Sequence, residues 1–253
     1  MPNDNHRHHG YLASGPIWPL LGAFLLGFAS LAAAPGPHAG GTLDQRHNPA
    51  RPNAQLAFSA EEIREAEQRL SDLGYWTGPV DGVPDEGLRQ ALIAFQKVED
   101  RQRTAKLTLD ELQALRSARR PHALESGYAH IEIDLSRQVL FAVDVSGSVS
   151  KILPVSTGTG KVFTSEGQTR RAVTPSGRFA IRHKISGWRR SPLGLLYYPN
   201  YIVGGIAIHG NPSVPVYPAS HGCIRIPMFA AKQFSEINPI GTVVIVYYSD
   251  SLE

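Results

Sequence analysis

The feature that most limits what this chain can become is a change of hydrophobic period near residue 128. Between residues 57 and 118, apolar side chains recur every three or four positions, as on one face of a helix. Ile63, Ala66, Leu70 and Leu73 follow Ser59-Ala60-Glu61-Glu62 and end at Gly74. The four residues before them form a capping box: the hydroxyl accepts from an orphan N–H and the glutamate reaches back to the cap N–H. After the turn-rich stretch 75–83, Leu88, Ala91, Leu92 and Phe95 mark a second helix. Thr108-Leu109-Asp110-Glu111 is a second capping box and opens a third helix with Leu112 and Leu115. From Tyr128 onward the period is two. Ile131, Ile133 and Leu135 alternate with Glu132 and Asp134. Val139, Phe141 and Val143 alternate with Leu140, Ala142 and Asp144, and the extra apolar residues predict a more deeply buried strand. Further strands are expected at 151–156, 177–183, 202–208 and 242–248, with one helix at 229–237. The expected architecture is a small three-helix domain (57–118), a connector (119–127) and a mainly β domain (128–253), a sandwich or partly closed barrel.

The chain has 253 residues, 42% hydrophobic and 19% charged, enough apolar content for a real core. Its net charge of +3 is spread without a long Lys/Arg tract, so nucleic acid is not the expected partner. An anionic polymer such as a bacterial cell wall fits this mild basicity. Residues 17 to 34 carry no charge and include Leu20, Leu21, Phe24, Leu25, Leu26 and Phe28. Small residues Ser30 and Ala32 suit signal peptidase, with a cut expected after Ala32. The alternative is an uncleaved membrane anchor, and either way the remainder is expected outside the cytoplasm. The stretch 35–56, rich in Pro, Gly, Ala and His at its start, reads as a linker.

Cys223 is the single cysteine, so an intramolecular disulfide is impossible and an exported chain needs another reason to carry it. It sits in Ser220-His221-Gly222-Cys223-Ile224-Arg225, downstream of Ile208-His209-Gly210-Asn211. A free thiol is mostly protonated near neutral pH; a neighbouring histidine can take the proton and hold the resulting ion pair. Gly222 lets a substrate carbonyl approach the backbone, and the N–H groups of Gly222 and Cys223 are candidates for an oxyanion hole. Ser220 can fix the turn by local hydrogen bonding. His209 ends an apolar run, Gly204–Ile208, expected to be a buried strand. Cys223, His221 and His209 would also make three ligands of a zinc site. No Asp or Glu lies between His209 and Arg225 to act as a base, and no paired Cys or His-x3-His spacing accompanies them, so no metal is expected.

Two resemblances follow from these residues. Gln68-Arg69-Leu70, Leu73-Gly74-Tyr75, 78–83, and Leu88-Arg89-Gln90-Ala91-Leu92 with Phe95-Gln96 resemble the small peptidoglycan-binding domain found beside cell-wall enzymes. The glycine-rich second loop of that family is replaced by Glu99-Asp100-Arg101-Gln102-Arg103-Thr104; the alternative is a helical spacer. The segment from His209-Gly210-Asn211 to Ser220-His221-Gly222-Cys223-Ile224-Arg225, supported by Val155-Ser156-Thr157-Gly158 and Thr174–Phe179, resembles the YkuD-type L,D-transpeptidases. The stretch between the two histidines is short, so a trimmed flap is expected. The resemblance implies a cysteine acyltransferase. Cys223 would displace D-alanine from a tetrapeptide stem, and the acyl group would pass to an amine of a neighbouring stem, giving a 3–3 crosslink without metal or organic cofactor. His209 would be the base, oriented by a backbone carbonyl near Gly210. His221 would shape the site, Arg225 would grip a substrate carboxylate, and Gly210, Asn211 and Tyr201 would lie beside the peptide. An L,D-carboxypeptidase, with water as the acceptor, and a non-catalytic wall-binding protein stay open as alternatives.

Overall fold

A computed structural model describes residues 58–249. The apolar segment 17–34 and the linker at 35–56 lie outside the described residues. Among the described residues no helix is long and apolar enough to cross a membrane.

Three helices open the chain: α1 (Ala60–Asp72), α2 (Glu86–Val98) and α3 (Leu109–Ser117). The Ser59–Glu62 capping box forms in both directions. The second box is only half made. Thr108 accepts from the Glu111 N–H, but the Glu111 side chain turns inward to Gln96 at 3.3 Å and Arg101 at 3.0 Å. A buried carboxylate finds stronger partners in an amide and a guanidinium than in a solvated cap.

The β region contains β1 (His130–Asp134), β2 (Val139–Val143), β3 (Val149–Pro154), β4 (Val162–Ser165), β5 (Gln168–Arg171) and β6 (Gly177–Ala180). It continues with β7 (His183–Lys184), β8 (Trp188–Ser191), β9 (Gly194–Val203), β10 (Ile206–Asn211), β11 (Ile224–Pro227), α4 (Met228–Ile237) and β12 (Val243–Tyr247). One sheet runs β3-β2-β1-β12-β6; the other runs β11-β10-β9-β7, with β8 also paired to β9. Ile131, Ile133, Leu140 and Val244 from the first sheet share a core with Ile202, Ile208, Ile224 and Ile226 from the second and with Phe234 of α4. This is a sandwich; the sheets do not close into a barrel. The expected strand at 202–208 is broken: Gly204-Gly205 forms the turn between β9 and β10, so His209 sits inside a strand rather than at the end of one.

The doubly apolar pattern of β2 has a simple cause. Leu140 faces the sandwich core, whereas Val139 and Phe141 face the helices and join Val149 and Ile152 of β3 in a second core with Leu70, Leu92 and Phe95. Helices and sheet therefore bury one another. Trp76 N–H donates to Ile152 O at 3.0 Å and Ile152 N–H to Gly74 O at 2.8 Å, so the loop after α1 covers the free edge of β3. Lys97 of α2 is 1% exposed and donates to Gln138 O at 3.0 Å and Val155 O at 2.9 Å. The polar face of β1 is likewise covered. Glu132, 1% exposed, accepts from the Leu124 and Glu125 N–H groups and pairs with His130 at 2.8 Å. The 119–127 stretch thus lies on the sheet and satisfies a buried carboxylate.

Candidate active site

The pairing of β10 with β11 assembles the site. The strands are parallel, with Ile208 opposite Ile224 and His209 opposite Arg225. Side chains alternate between faces along a strand. Ile208, Ile224 and Ile226 therefore enter the core, while His209, Asn211, Cys223 and Arg225 project from the opposite face. Tyr201 of β9, opposite Ala207, joins them on that face. Gly210 points inward, where a Cβ would lie 2.6 Å from the Ala231 Cβ of α4; only glycine fits beneath the site.

The turn leading to the thiol is held from several sides. Ser220 Oγ donates to Cys223 O at 2.5 Å and accepts from Gly222 N–H at 3.0 Å. Gly222 adopts φ 133°, a conformation that L side chains rarely take. Thr174 Oγ1 donates to Gly222 O at 2.7 Å and accepts from Gly158 N–H at 2.9 Å. Thr157 O accepts from the Ala219 and Ser220 N–H groups, and Ser156 exchanges two backbone bonds with Arg225. The two sequence blocks around residues 155–158 and 174–179 are thus the struts of the Cys223 turn. Thr174 was not among the sequence-derived candidates; the threonine that opens Thr174-Pro175-Ser176-Gly177 was its only trace.

One expectation about the oxyanion hole changes. The Gly222 amide is already bonded to Ser220 Oγ, so the Cys223 amide is the remaining candidate of the two.

His209 is buried, and its Nδ1 lies 2.9 Å from Gly210 O. A carbonyl can only accept, so Nδ1 carries the hydrogen and Nε2 is left with its lone pair. Burial pushes the imidazole down to about 4, against the lift from the Gly210 carbonyl and with further lowering from the Arg225 charge. Burial also raises the Cys223 thiol above its ordinary range, opposed by a backbone hydrogen bond from Ala207 and by Arg225. The thiol donates to Gly205 O at 3.7 Å. Both shifts favour a neutral thiol beside a neutral imidazole over a thiolate–imidazolium pair.

The cleft in front of Cys223 has a volume of about 510 Å³. The stretch between the histidines is short, as expected, and adds no helix or strand between β10 and β11. Two hairpins flank the cleft instead. The β4–β5 hairpin contributes Phe163, Arg170 and Arg171, and the β8–β9 hairpin contributes Arg189, Leu193 and Leu195. Glu166 and Gly167 both have positive φ, as a two-residue hairpin turn requires, so Glu166-Gly167 was the readable signal of the first hairpin. His221 is exposed and meets the Phe163 ring edge-on at 4.7 Å. Asn211 Oδ1 accepts from Ser213 N–H, and Tyr201 stacks on His183 at 5.8 Å. Arg225 lines the cleft and makes no ion pair among the described residues. Tyr197 and Tyr198 pack against the sandwich core.

Residues 128–246 match the L,D-transpeptidase catalytic domain, and residues 59–115 match a peptidoglycan binding domain. The chain is similar to a solved L,D-transpeptidase (residues 123–326) from Xylanimonas cellulosilytica, with 38% identity over 74% of this chain and 93% of that one, at a TM-score of 0.70. An L,D-transpeptidase from Stackebrandtia nassauensis is 20% identical over 77% of this chain and 95% of that one, TM-score 0.45. One from Mycobacterium smegmatis is 21% identical over 47% and 58%, TM-score 0.38. A comparison with curated proteins gave no match. The chain belongs to the L,D-transpeptidase family, and it carries a peptidoglycan-binding domain ahead of the catalytic one. Both domains direct it to the bacterial cell wall.

Proposed function

We propose that this protein is a cysteine acyltransferase that forms 3–3 crosslinks in peptidoglycan. Cys223 Sγ attacks the carbonyl that joins the diamino-acid centre of a tetrapeptide stem to its terminal D-alanine. His209 Nε2 takes the thiol proton during attack and delivers it to the departing amine. The C–N bond to D-alanine breaks and a thioester forms. The side-chain amine of a second stem then attacks the thioester, gives up a proton through His209, and regenerates the thiol. The Cys223 amide stabilises the tetrahedral oxyanion, and Arg225 holds a substrate carboxylate in a bidentate grip. Ser220 and Gly222 shape the turn; His221, Gly210, Asn211 and Tyr201 line the peptide path. The observation that carries this reading is one thiol, just ahead of β11, and one tautomer-fixed, neutral imidazole on β10 lining the same cleft. Because the imidazole is neutral at rest, it is already competent as a base. The apolar segment 17–34 is the export signal or anchor, and residues 59–115 hold the enzyme on its polymer.

The test is intact-protein mass spectrometry of the chain lacking residues 1–34, incubated with a disaccharide-tetrapeptide donor beside Cys223→Ala. A transient acyl adduct and crosslinked dimers, both dependent on Cys223, are expected. D-Alanine release with tripeptide and no dimer would identify a carboxypeptidase. Absence of adduct and turnover would leave a wall-binding protein.

A further inference from the structure

Three buried polar residues, Lys97, Gln138 and Thr157, join α2 to the Cys223 turn by hydrogen bonds. Lys97 Nζ donates to Gln138 O and Val155 O, and Val155 N–H donates to the same Gln138 carbonyl at 2.9 Å. Gln138 Oε1 accepts from Thr157 N–H at 3.0 Å, while Gln138 Nε2 donates to Leu135 O at 2.7 Å and to Thr157 Oγ1 at 2.8 Å. Thr157 O accepts from the Ala219 and Ser220 N–H groups at 3.0 and 2.9 Å. Ser220 Oγ then holds both Gly222 N–H and Cys223 O. Each step from the helical segment to the thiol turn is a hydrogen bond or one residue's own covalent frame.

Two observations set these residues apart from ordinary core. Gln138 has φ 61°, in the left-handed region that favours glycine. Glycine would make the turn between β1 and β2 with less strain, but it lacks the amide, whose nitrogen and oxygen are both engaged. Strain of this kind persists only where the surroundings over-determine it, and it gathers at functional sites. Lys97 makes no ion pair among the described residues, so carbonyls alone answer its buried charge. An apolar side chain would fill that space without burying an unpaired ammonium. What the ammonium adds is a clamp on the two backbone positions, 138 and 155, that flank the link to Thr157. The helical segment also reaches the loop between β10 and β11 a second time. Arg103 Nη1 donates to Val216 O at 3.1 Å, next to Tyr217 O, which accepts from Ser156 Oγ at 2.8 Å.

We propose that Lys97 and Gln138 are positioning residues for Cys223, so that α2 of the peptidoglycan-binding domain sets the geometry of the catalytic turn through Thr157. Neither residue touches the reacting atoms. They fix Ser220, and through it the Cys223 backbone whose amide meets the oxyanion. The catalytic meaning of this placement rests on the function proposed above; the placement itself does not.

The test compares Lys97→Met and Gln138→Gly in the chain from residue 35. Methionine keeps the stem of Lys97 without its donor, and glycine relieves the φ of Gln138 while removing the amide. Arg120→Met is the control: Arg120 Nη1 donates to Val149 O at 3.0 Å, a bond between the same two segments that leads nowhere near Cys223. Acylation by the tetrapeptide donor is expected to slow about tenfold or more in both test variants, with the KM for donor nearly unchanged, because a small misplacement of the nucleophile acts on kcat. Amide hydrogen exchange at Ala219 and Ser220 should quicken in both, and neither readout should move in Arg120→Met. Full activity and unchanged exchange in Lys97→Met and Gln138→Gly would overturn the proposal. An equal loss in Arg120→Met would also overturn it, by assigning the effect to a loosened interface. If Gln138→Gly does not fold, Lys97→Met decides alone. A wild-type chain that forms no acyl adduct would sink the proposed function, and the exchange comparison would still decide the placement.

Discussion

His209 and Arg225 are register partners across the parallel pair β10–β11, so a permanent positive charge stands beside the imidazole. That charge disfavours an imidazolium and favours a thiolate at Cys223. A unit charge a few ångströms away near a protein surface is worth about 1 kcal/mol or more. Arg225→Gln is therefore expected to slow alkylation of Cys223 by iodoacetamide at pH 7.5 about fivefold, by pushing the thiol still higher. If Arg225 also grips the substrate, the KM for donor rises in the same variant. An unchanged alkylation rate would mean that the guanidinium does not act on the sulfur.

The neutral resting pair predicts a particular pH profile. With the thiol above its ordinary range and His209 at about 4, alkylation should climb through pH 7 to 9 and show no inflection between 4 and 6. A thiolate–imidazolium pair would instead hold the rate high down to acidic pH. His209→Ala should leave the alkylation profile nearly in place while lowering acylation by donor about 100-fold or more, as removal of a general base does. The comparison separates a base that acts during attack from one that charges the thiol beforehand.

Gly210→Ala tests the packing beneath the site. The new methyl would lie 2.6 Å from Ala231 Cβ and 3.1 Å from the Tyr197 ring. Overpacking of this kind costs about 1–3 kcal/mol, so the melting temperature should fall by about 3–10 °C. Turnover should fall further than stability, because the carbonyl that fixes the His209 tautomer moves with the strand. Adding Ala231→Gly should recover much of both losses; if it recovers neither, the clash is not with α4.

Lys97 gives stability its own pH dependence. Burial brings this ammonium down to about 7, below its unfolded value near 10.4. Between those values the unfolded chain binds more protons, so stability rises with pH in that window. The gain from pH 7 to 9 should be on the order of 2 kcal/mol in urea unfolding, with no further change from this group below pH 6. Lys97→Met should flatten that slope; an equal slope in the variant would assign it to another group.

Much of this was legible in the sequence. The helical period from Ile63 to Leu73 and the alternation from Ile131 to Leu135 report local geometry, and both elements form where the pattern puts them. Cys223, His209 and Arg225 were readable because chemistry-bearing residues cluster in a short stretch. The failures come from pairing and hydrogen bonding that the hydrophobic pattern alone does not show. Gly204-Gly205 reads as part of a strand until β9 folds back on β10 and needs a turn there. Glu132 alternates with apolar residues, and alternation cannot show that residues 124 and 125 return to cover it. The fate of the Gly222 amide depends on a side chain two residues away and could not be read from composition. Phe163 and Arg189 reach the cleft from distant hairpins, and no local pattern ties them to Cys223.

The second core has a consequence for how such a chain can be inherited. Val139, Phe141, Val149 and Ile152 are buried by helices that precede them in sequence. Each such side chain is worth about 1.5–3 kcal/mol when buried. A recombination event that joined a foreign helical segment at residues 119–127 would leave this face of the sheet bare, and Lys97's two carbonyl partners with it. Helices and sheet match each other residue by residue, so they can only be exchanged as one heritable block.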